Sequence, residues 1–315
     1  MRYQYSKKGD VIDKQKKILN KVSNEKNIRK LTETEKKDLK NTFLLMTQEI
    51  DMVCKKYGIK MFLVGGSLLG AVRHGGFIPW DDDIDFGMKR CDYQKFIEIF
   101  DSELGDRYYL RCPNSKYPNG NRFMQIYKRG TTLKVAEGST PLQPNCVLID
   151  VFPYDYVPDN KLLRILKGIY CNFLMLIAAS VTGYVYPNEN YKKMMMHSFT
   201  GKCIFYGEYL LGKLFSWKKP EEWFNKVDRA VQQKKKSKYV TSAMGRKHYL
   251  GEIFSEKVFF PLSEIKFEEL KLYAPADPQT YLLHNYGKNY MTPPSRDNQE
   301  SHFVLYFDLN KEENI

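Results

Sequence analysis

GGSLLGAVRHGGFIPWDDDIDFGM, running from Gly65 to Met88, is the stretch whose reading decides the fold. It follows a short apolar run, Lys60 to Val64, which reads as a buried strand breaking into a tight turn. Glycine lets the backbone approach a ligand closely, and Ser67 to Arg73 reads as the first turns of a helix. N–H groups at a helix start favour anions, so Gly65, Gly66 and Ser67 form a candidate phosphate seat. A plain turn is the alternative for the same residues.

The acidic run Asp81 to Asp85 sharpens that choice. In an extended backbone Asp81, Asp83 and Asp85 share one face while Asp82, Ile84 and Phe86 share the other. Ile84 and Phe86 then anchor the segment in the core. Asp83 and Asp85 stand adjacent on the reactive side, and Asp82 falls at a solvent-facing entrance. Neighbouring carboxylates repel unless a cation sits between them or one is protonated. Hard oxygen ligands suit Mg²⁺ or Mn²⁺, which bind one or two carboxylates together with substrate phosphate oxygens. A solvated acidic turn is the competing reading. A third carboxylate, Asp150, lies inside the apolar run Val147 to Phe152. Burying it alone is costly, so it faces a cation, a hydrogen-bonding site or a structural Arg or Lys.

These residues resemble the LicD/fukutin-related phosphotransferases of the nucleotidyltransferase-fold superfamily. The resemblance rests on the unbroken block Gly66 to Asp85, on Ile149 to Asp155, and on a tail from Tyr286-Gly287 through Pro293-Pro294 to His302. It implies an α/β (α+β) nucleotidyltransferase-like core, a small mixed sheet flanked by helices, interrupted by a helical insertion. It also implies that Gly65, Gly66 and Ser67 hold donor phosphates and that Asp83, Asp85 and Asp150 hold the metal and carry catalysis. The family moves a phosphorylated alcohol from a cytidine-diphosphate (CDP) carrier to a glycan hydroxyl. Phosphocholine is the cargo expected here, with teichoic acid, capsule or lipopolysaccharide as the acceptor. The tail departs from the family picture: Ser295 to Glu300 intervenes where more basic and histidine residues are expected.

Further candidates follow from position. Arg73 and His74, between the glycine turn and the acidic run, are expected either to brace phosphates or to pair with the aspartates. Trp80 is read as a stacking or cation–π partner, or as packing beside Pro79. Arg129 is a candidate donor-phosphate contact, with a solvated arginine as its alternative. Arg296 and His302 complete the set of substrate-binding candidates.

The 315 residues carry 50 Lys and Arg against 37 Asp and Glu, a net +13 that calls for an anionic partner. Nucleic acid, anionic lipid and charged glycan all qualify on charge; the shared block favours glycan over nucleic acid. The six cysteines show no C-x-x-C pair and no zinc spacing, which predicts reduced thiols. Residues 1–10 lack an apolar core, which predicts no signal peptide and a cytoplasmic address, with contact at the inner membrane face as an option.

Four segments are expected. Residues 1–31 form a basic extension with an amphipathic stretch at 11–22, and 32–156 form the catalytic core. Residues 157–238 form the helical insertion, and 239–315 return to complete the site. Thr32 and Glu35 predict a capping box, followed by a helix that ends at Gly58. Asp92 is expected to cap a further helix. Strands are expected at 107–110, 123–127, 131–135 and 146–152, and helices at 203–217, 220–236 and 278–286. Gly168 to Asn188 is uncharged and reads as a buried helix, a helix on anionic lipid or a membrane span.

Two other functions share these motifs. One is a nucleotidyltransferase that adds a nucleotide to RNA, protein or a small molecule. The other is a non-catalytic basic binder of nucleic acid or membrane.

Overall fold

A computed structural model describes residues 29–117, 120–135, 143–295, 299 and 302–312. The basic stretch at 11–22 and Arg296 lie outside the described residues. Thr32 and Glu35 form the expected capping box: the Thr32 hydroxyl accepts the Glu35 N–H, and Glu35 accepts the Thr32 N–H. It opens α1 (Glu33–Lys56), whose Leu39, Phe43, Met46, Ile50 and Val53 are buried. Each such side chain removed from water contributes about 1.5–3 kcal/mol.

The chain turns at Gly58 into β1 (Met61–Leu63), then α2 (Gly65–His74), β2 (Asp85–Lys89) and α3 (Arg90–Leu104). Helix α3 starts two residues before Asp92, with Lys89 in the cap position. Asp92 instead sits in the first turn, where its carboxylate accepts the Lys60 N–H from the end of β1's approach. Strands β3 (Tyr108–Arg111), β4 (Met124–Lys128) and β6 (Leu148–Tyr156) follow. Between them β5 (Thr132–Val135) leaves the main sheet to pair with β11 (Val304–Asp308).

Four helices then intervene: α4 (Lys161–Val185), α5 (Glu189–Met195), α6 (Phe199–Phe215) and α7 (Pro220–Val231). Helix α7 stops at Val231, short of the expected 236, because Gln232 adopts an extended backbone. The chain returns through β7 (Tyr239–Thr241), α8 (His248–Gly251), β8 (Ile253–Ser255) and α9 (Glu256–Phe259). The hairpin β9 (Ser263–Phe267) and β10 (Leu270–Ala274) and the helix α10 (Pro278–Tyr286) follow, and β11 closes the order.

The sheet is mixed and nine-stranded, ordered β3-β4-β6-β2-β1-β10-β9, with β7 on β6 and β8 on β7. Strand β2 lies antiparallel to β1 and parallel to β6. One core packs α1 and α3 against this sheet. A second gathers Cys171, Leu174 and Val181 of α4 around Trp223 and Val227 of α7 and Tyr249 of α8. The two halves are joined by a buried cation: Arg90 of α3 binds Asp155 of β6 through two hydrogen bonds of 2.9 and 2.6 Å and Asp228 of α7 at 2.8 Å.

Candidate active site

The site grows from the break between β1 and α2. Gly65 begins the helix at φ +56°, and a Cβ there would stand 2.7 Å from an Asp85 carboxylate oxygen; one at Gly66 would stand 3.0 Å from Asp81. Only glycine gives both the left-handed conformation and that clearance. The Gly65 N–H donates to the buried Tyr281 hydroxyl of α10 at 3.0 Å, tying the elbow to the C-terminal helix. Ser67 turns inward: its Oγ accepts the Asp85 N–H at 2.8 Å, so its side chain clamps the acidic segment to the elbow and does not line the cavity.

The block from Gly75 to Trp80 is a strap held from three sides. Glu268 of the β9–β10 turn accepts the Phe77 N–H at 2.9 Å, and Phe77 packs edge-on against Phe267. Lys40 of α1 donates to the Ile78 and Pro79 carbonyls at 3.1 and 3.0 Å. Phe77 and Ile78 are buried, which sets the path of the acidic run that follows.

Regular pairing on β2 begins at Asp85, yet the alternation predicted from Asp81 onward is kept. Asp81, Asp83 and Asp85 line one cavity, while Ile84 and Phe86 are buried. Asp82 is not at a wet entrance, however. Its side chain is 8 % exposed, accepts the His302 N–H at 2.8 Å, and meets His302 Nδ1 at 2.8 Å. A residue 220 positions away therefore fixes the one aspartate that faces away from the cavity.

Parallel pairing of β2 with β6 puts Asp85 directly opposite Asp150. On the other side of β6, Gln125 of β4 is opposite Asp150 and donates to its Oδ1 at 2.9 Å. Among the described residues neither Asp85 nor Asp150 forms an ion pair with lysine or arginine. Burial, then repulsion from Asp83 and Asp82, pushes the Asp81 carboxyl up to about 8. Burial, then Asp83, Asp150 and Asp81, raises Asp85 well above the ordinary carboxylate range. Asp150 is pushed up to about 7, burial outweighing the favourable Gln125 hydrogen bond. So many desolvated like charges need protons or a cation.

The cavity above them has a volume of about 450 Å³. Arg73 and Trp80 line it, the guanidinium 5.8 Å over the indole ring. Arg73 donates to the Tyr290 carbonyl and to His74 Nε2, both at 2.9 Å, and pairs with no aspartate among the described residues. His74 therefore braces Arg73 from outside the cavity. Its pKa is lowered, by burial first and then by Arg73 and Lys40. Arg129 is not brought to the site: it stacks 3.6 Å over the Tyr109 ring and donates to the Tyr108 carbonyl.

Several contributors carry no sequence signal. The opposite wall comes from Arg246, Lys247 and Glu252, with Tyr281, Tyr286 and Tyr290 giving an aromatic side. Glu252 is buried and accepts the Lys247 N–H at 3.0 Å. Arg122, just before β4, has no guanidinium hydrogen bond or ion pair among the described residues. Burial lowers its pKa, and the charges of Asp150 and Glu252 oppose that shift. Its place in a polar loop was its only clue.

The donor set suits a hard dication: all oxygen, desolvated and mutually repelling. Among the described residues no group of three or more acidic, His or Cys side chains is placed to hold a metal ion by itself. An ion here would complete its shell with water or substrate phosphate oxygens, the usual arrangement for Mg²⁺.

The site thus combines a glycine elbow feeding a helix with carboxylates on two adjacent parallel strands of a mixed sheet. Residues 58–160 match the LicD/FKTN/FKRP nucleotidyltransferase domain, and the chain carries a domain of that family. Lipopolysaccharide cholinephosphotransferase LicD of Haemophilus influenzae is 36 % identical over 109 residues, 34 % of this chain and 40 % of that protein. Ribitol 5-phosphate transferase FKRP of Homo sapiens is 43 % identical over 53 residues, 17 % of this chain and 11 % of that protein. An uncharacterised protein of Rickettsia typhi, RT0683, is 37 % identical over 146 residues, 44 % of this chain and 42 % of that protein. The chain thus spans less than half the length of the curated relatives it matches.

Proposed function

We propose that this protein transfers a phosphorylated alcohol, phosphocholine first among them, from a CDP-alcohol to a sugar hydroxyl of a cell-surface glycan. The observation that carries this reading is the in-register pair Asp85 and Asp150 beside the Gly65-Gly66 elbow. The names of two relatives, a cholinephosphotransferase and a ribitol 5-phosphate transferase, support it.

Asp83 and Asp85, with Asp150 as the third carboxylate, would hold Mg²⁺ or Mn²⁺. Such an ion neutralises the donor pyrophosphate when bound. The elbow and the start of α2 seat the donor phosphates, and Arg73, which lines the cavity, faces the charge that develops on the leaving cytidine monophosphate. Asp150, anchored by Gln125 at one oxygen, accepts the proton of the acceptor hydroxyl with the other. The acceptor oxygen bonds to the alcohol-bearing phosphorus as the bridging pyrophosphate bond breaks. Trp80, Tyr281, Tyr286 and Tyr290 offer aromatic faces to a quaternary ammonium.

The test is a donor panel of CDP-choline, CDP-ribitol and CDP-glycerol, with and without Mg²⁺, read as release of cytidine monophosphate. Metal-dependent release from one donor, strongest for CDP-choline, is expected. Incorporation of ATP or CTP with pyrophosphate release, and no turnover of the panel, would replace this reading with nucleotide addition.

A further inference from the structure

We propose that α4 and α6 form a docking face for an anionic lipid bilayer, lying in the plane of its surface. Helix α4 is long and apolar enough by composition to cross a membrane, but only a third of its most apolar window is buried in the protein. Its inward face is committed to protein: Cys171, Leu174, Ala178 and Val181 pack in the second core. A helix with one side fixed against α7 cannot be surrounded by lipid, which leaves the in-plane orientation.

The outward face repeats every three or four residues: Leu162, Leu166, Ile169, Phe173 and Leu176 are 65, 54, 55, 49 and 46 % exposed. Helix α6 adds a second stripe, with Phe199, Tyr206, Leu210 and Leu214 at 83, 60, 67 and 67 %. The two helices pack together, Tyr184 against Tyr209 at 5.1 Å, so the stripes belong to one unit. Apolar side chains exposed in such continuity mark an interaction surface.

Charge selects the occupant. Residues 161–219 contain Lys161, Arg164, Lys167, Lys192, Lys193, Lys202, Lys213, Lys218 and Lys219 against only Glu189 and Glu208. Glu208 is already engaged by the Tyr191 hydroxyl at 2.7 Å. A second copy of this chain would set like charges against each other. An anionic headgroup layer satisfies the exposed lysines, Arg164 and Lys167 being already held by backbone carbonyls, while its acyl boundary takes the apolar stripes.

The face also adjoins the cavity. Tyr249 of α8 packs in the core with α4 and donates its N–H to Asn172 of α4 at 3.3 Å. Lys247 and Glu252, which flank α8, line the cavity. Docking would therefore bring the cavity wall near the bilayer, where a lipid-linked glycan presents its sugar. That last step rests on the proposed transferase reading; the docking itself does not.

The experiment is flotation of the whole chain with vesicles of phosphatidylcholine alone or mixed with phosphatidylglycerol, at physiological salt. Flotation with the anionic vesicles, about tenfold above the neutral ones, is expected. Leu166→Glu combined with Phe173→Glu should abolish it without moving the thermal midpoint, because both side chains are half exposed. Lys202→Glu with Lys213→Glu, also exposed, should reduce it about tenfold or more. CDP-alcohol turnover in solution provides a separate readout, so loss of flotation with turnover retained separates docking from chemistry. Absence of flotation with anionic vesicles would overturn the proposal. So would a dimer in solution that the same substitutions dissociate, or variants that float as well as the parent.

Discussion

The acidic cavity and the α4–α6 hairpin are built by opposite means. In and beside the cavity, negative charge is concentrated and desolvated: burial raises the carboxyls of Asp81, Asp85 and Asp150 above the ordinary range. In the hairpin, apolar surface stands exposed and positive charge is spread through the segment. Each region carries a local cost that a ligand of the complementary kind would offset. The difference teaches that local instability can point to a partner: a cation and phosphates are what we propose in one place, a lipid surface in the other.

The sharpest way to break that comparison is to remove a carboxylate. Asp85→Asn and Asp150→Asn should each lower kcat/KM by about a thousandfold. Each should also raise the thermal midpoint of the metal-free chain, because a repelling charge is gone. Normal turnover in either variant, or a lower midpoint, would place these residues in the scaffold instead of the chemistry.

A second substitution tests whether the two regions are one body. Arg90→Leu leaves Asp155 and Asp228 buried without their cation, at a cost of about 3–5 kcal/mol in urea unfolding. Arg107→Ala, which removes an exposed pair with Glu49, should cost no more than about 1 kcal/mol. Equal effects would mean that the buried junction contributes no more than a surface contact.

The smallest effect is a pH dependence. The folded-state pKa values of Asp81 and Asp150, about 8 and about 7, lie above the ordinary carboxylate value near 4. The folded chain thus takes up protons more readily than the unfolded one. Their contribution to stability is complete below about pH 4 and is lost as pH rises through 7 and 8. The metal-free midpoint should fall by roughly a few degrees over that range. Mg²⁺ or Mn²⁺ should restore it at pH 8 and do little at pH 5; equal shifts at both pH values would dissociate the ion from this cluster.

How much of this was legible in the chain depends on the range of each interaction. The elbow, the alternation through Asp85 and the buried run around Asp150 are local patterns, and the resemblance that implied the fold class rested on them. The capping box at Thr32 and the helix from Pro278 were legible for the same reason. Asp82 was misplaced because its partner is His302, and no periodicity reaches 220 residues along the chain. Arg122 and Glu252 were invisible because their importance comes from desolvation, which exists only after α8 and β4 have converged. Arg129 looked suitable by charge, yet an aromatic ring at Tyr109 was a nearer partner. The end of α7 was set by the backbone at Gln232, where the basic run that follows gives no stop signal.

The latch between Asp82 and His302 has a consequence for biosynthesis. The glycine elbow and the three cavity aspartates are made before the Tyr281 hydroxyl that holds the elbow and the imidazole that holds Asp82. A nascent chain still lacking residue 302 has the acidic cluster without its fastening. Competence should therefore arrive only once residue 302 has been made, and a ribosome stalled before that point would display a folded sheet with no working centre.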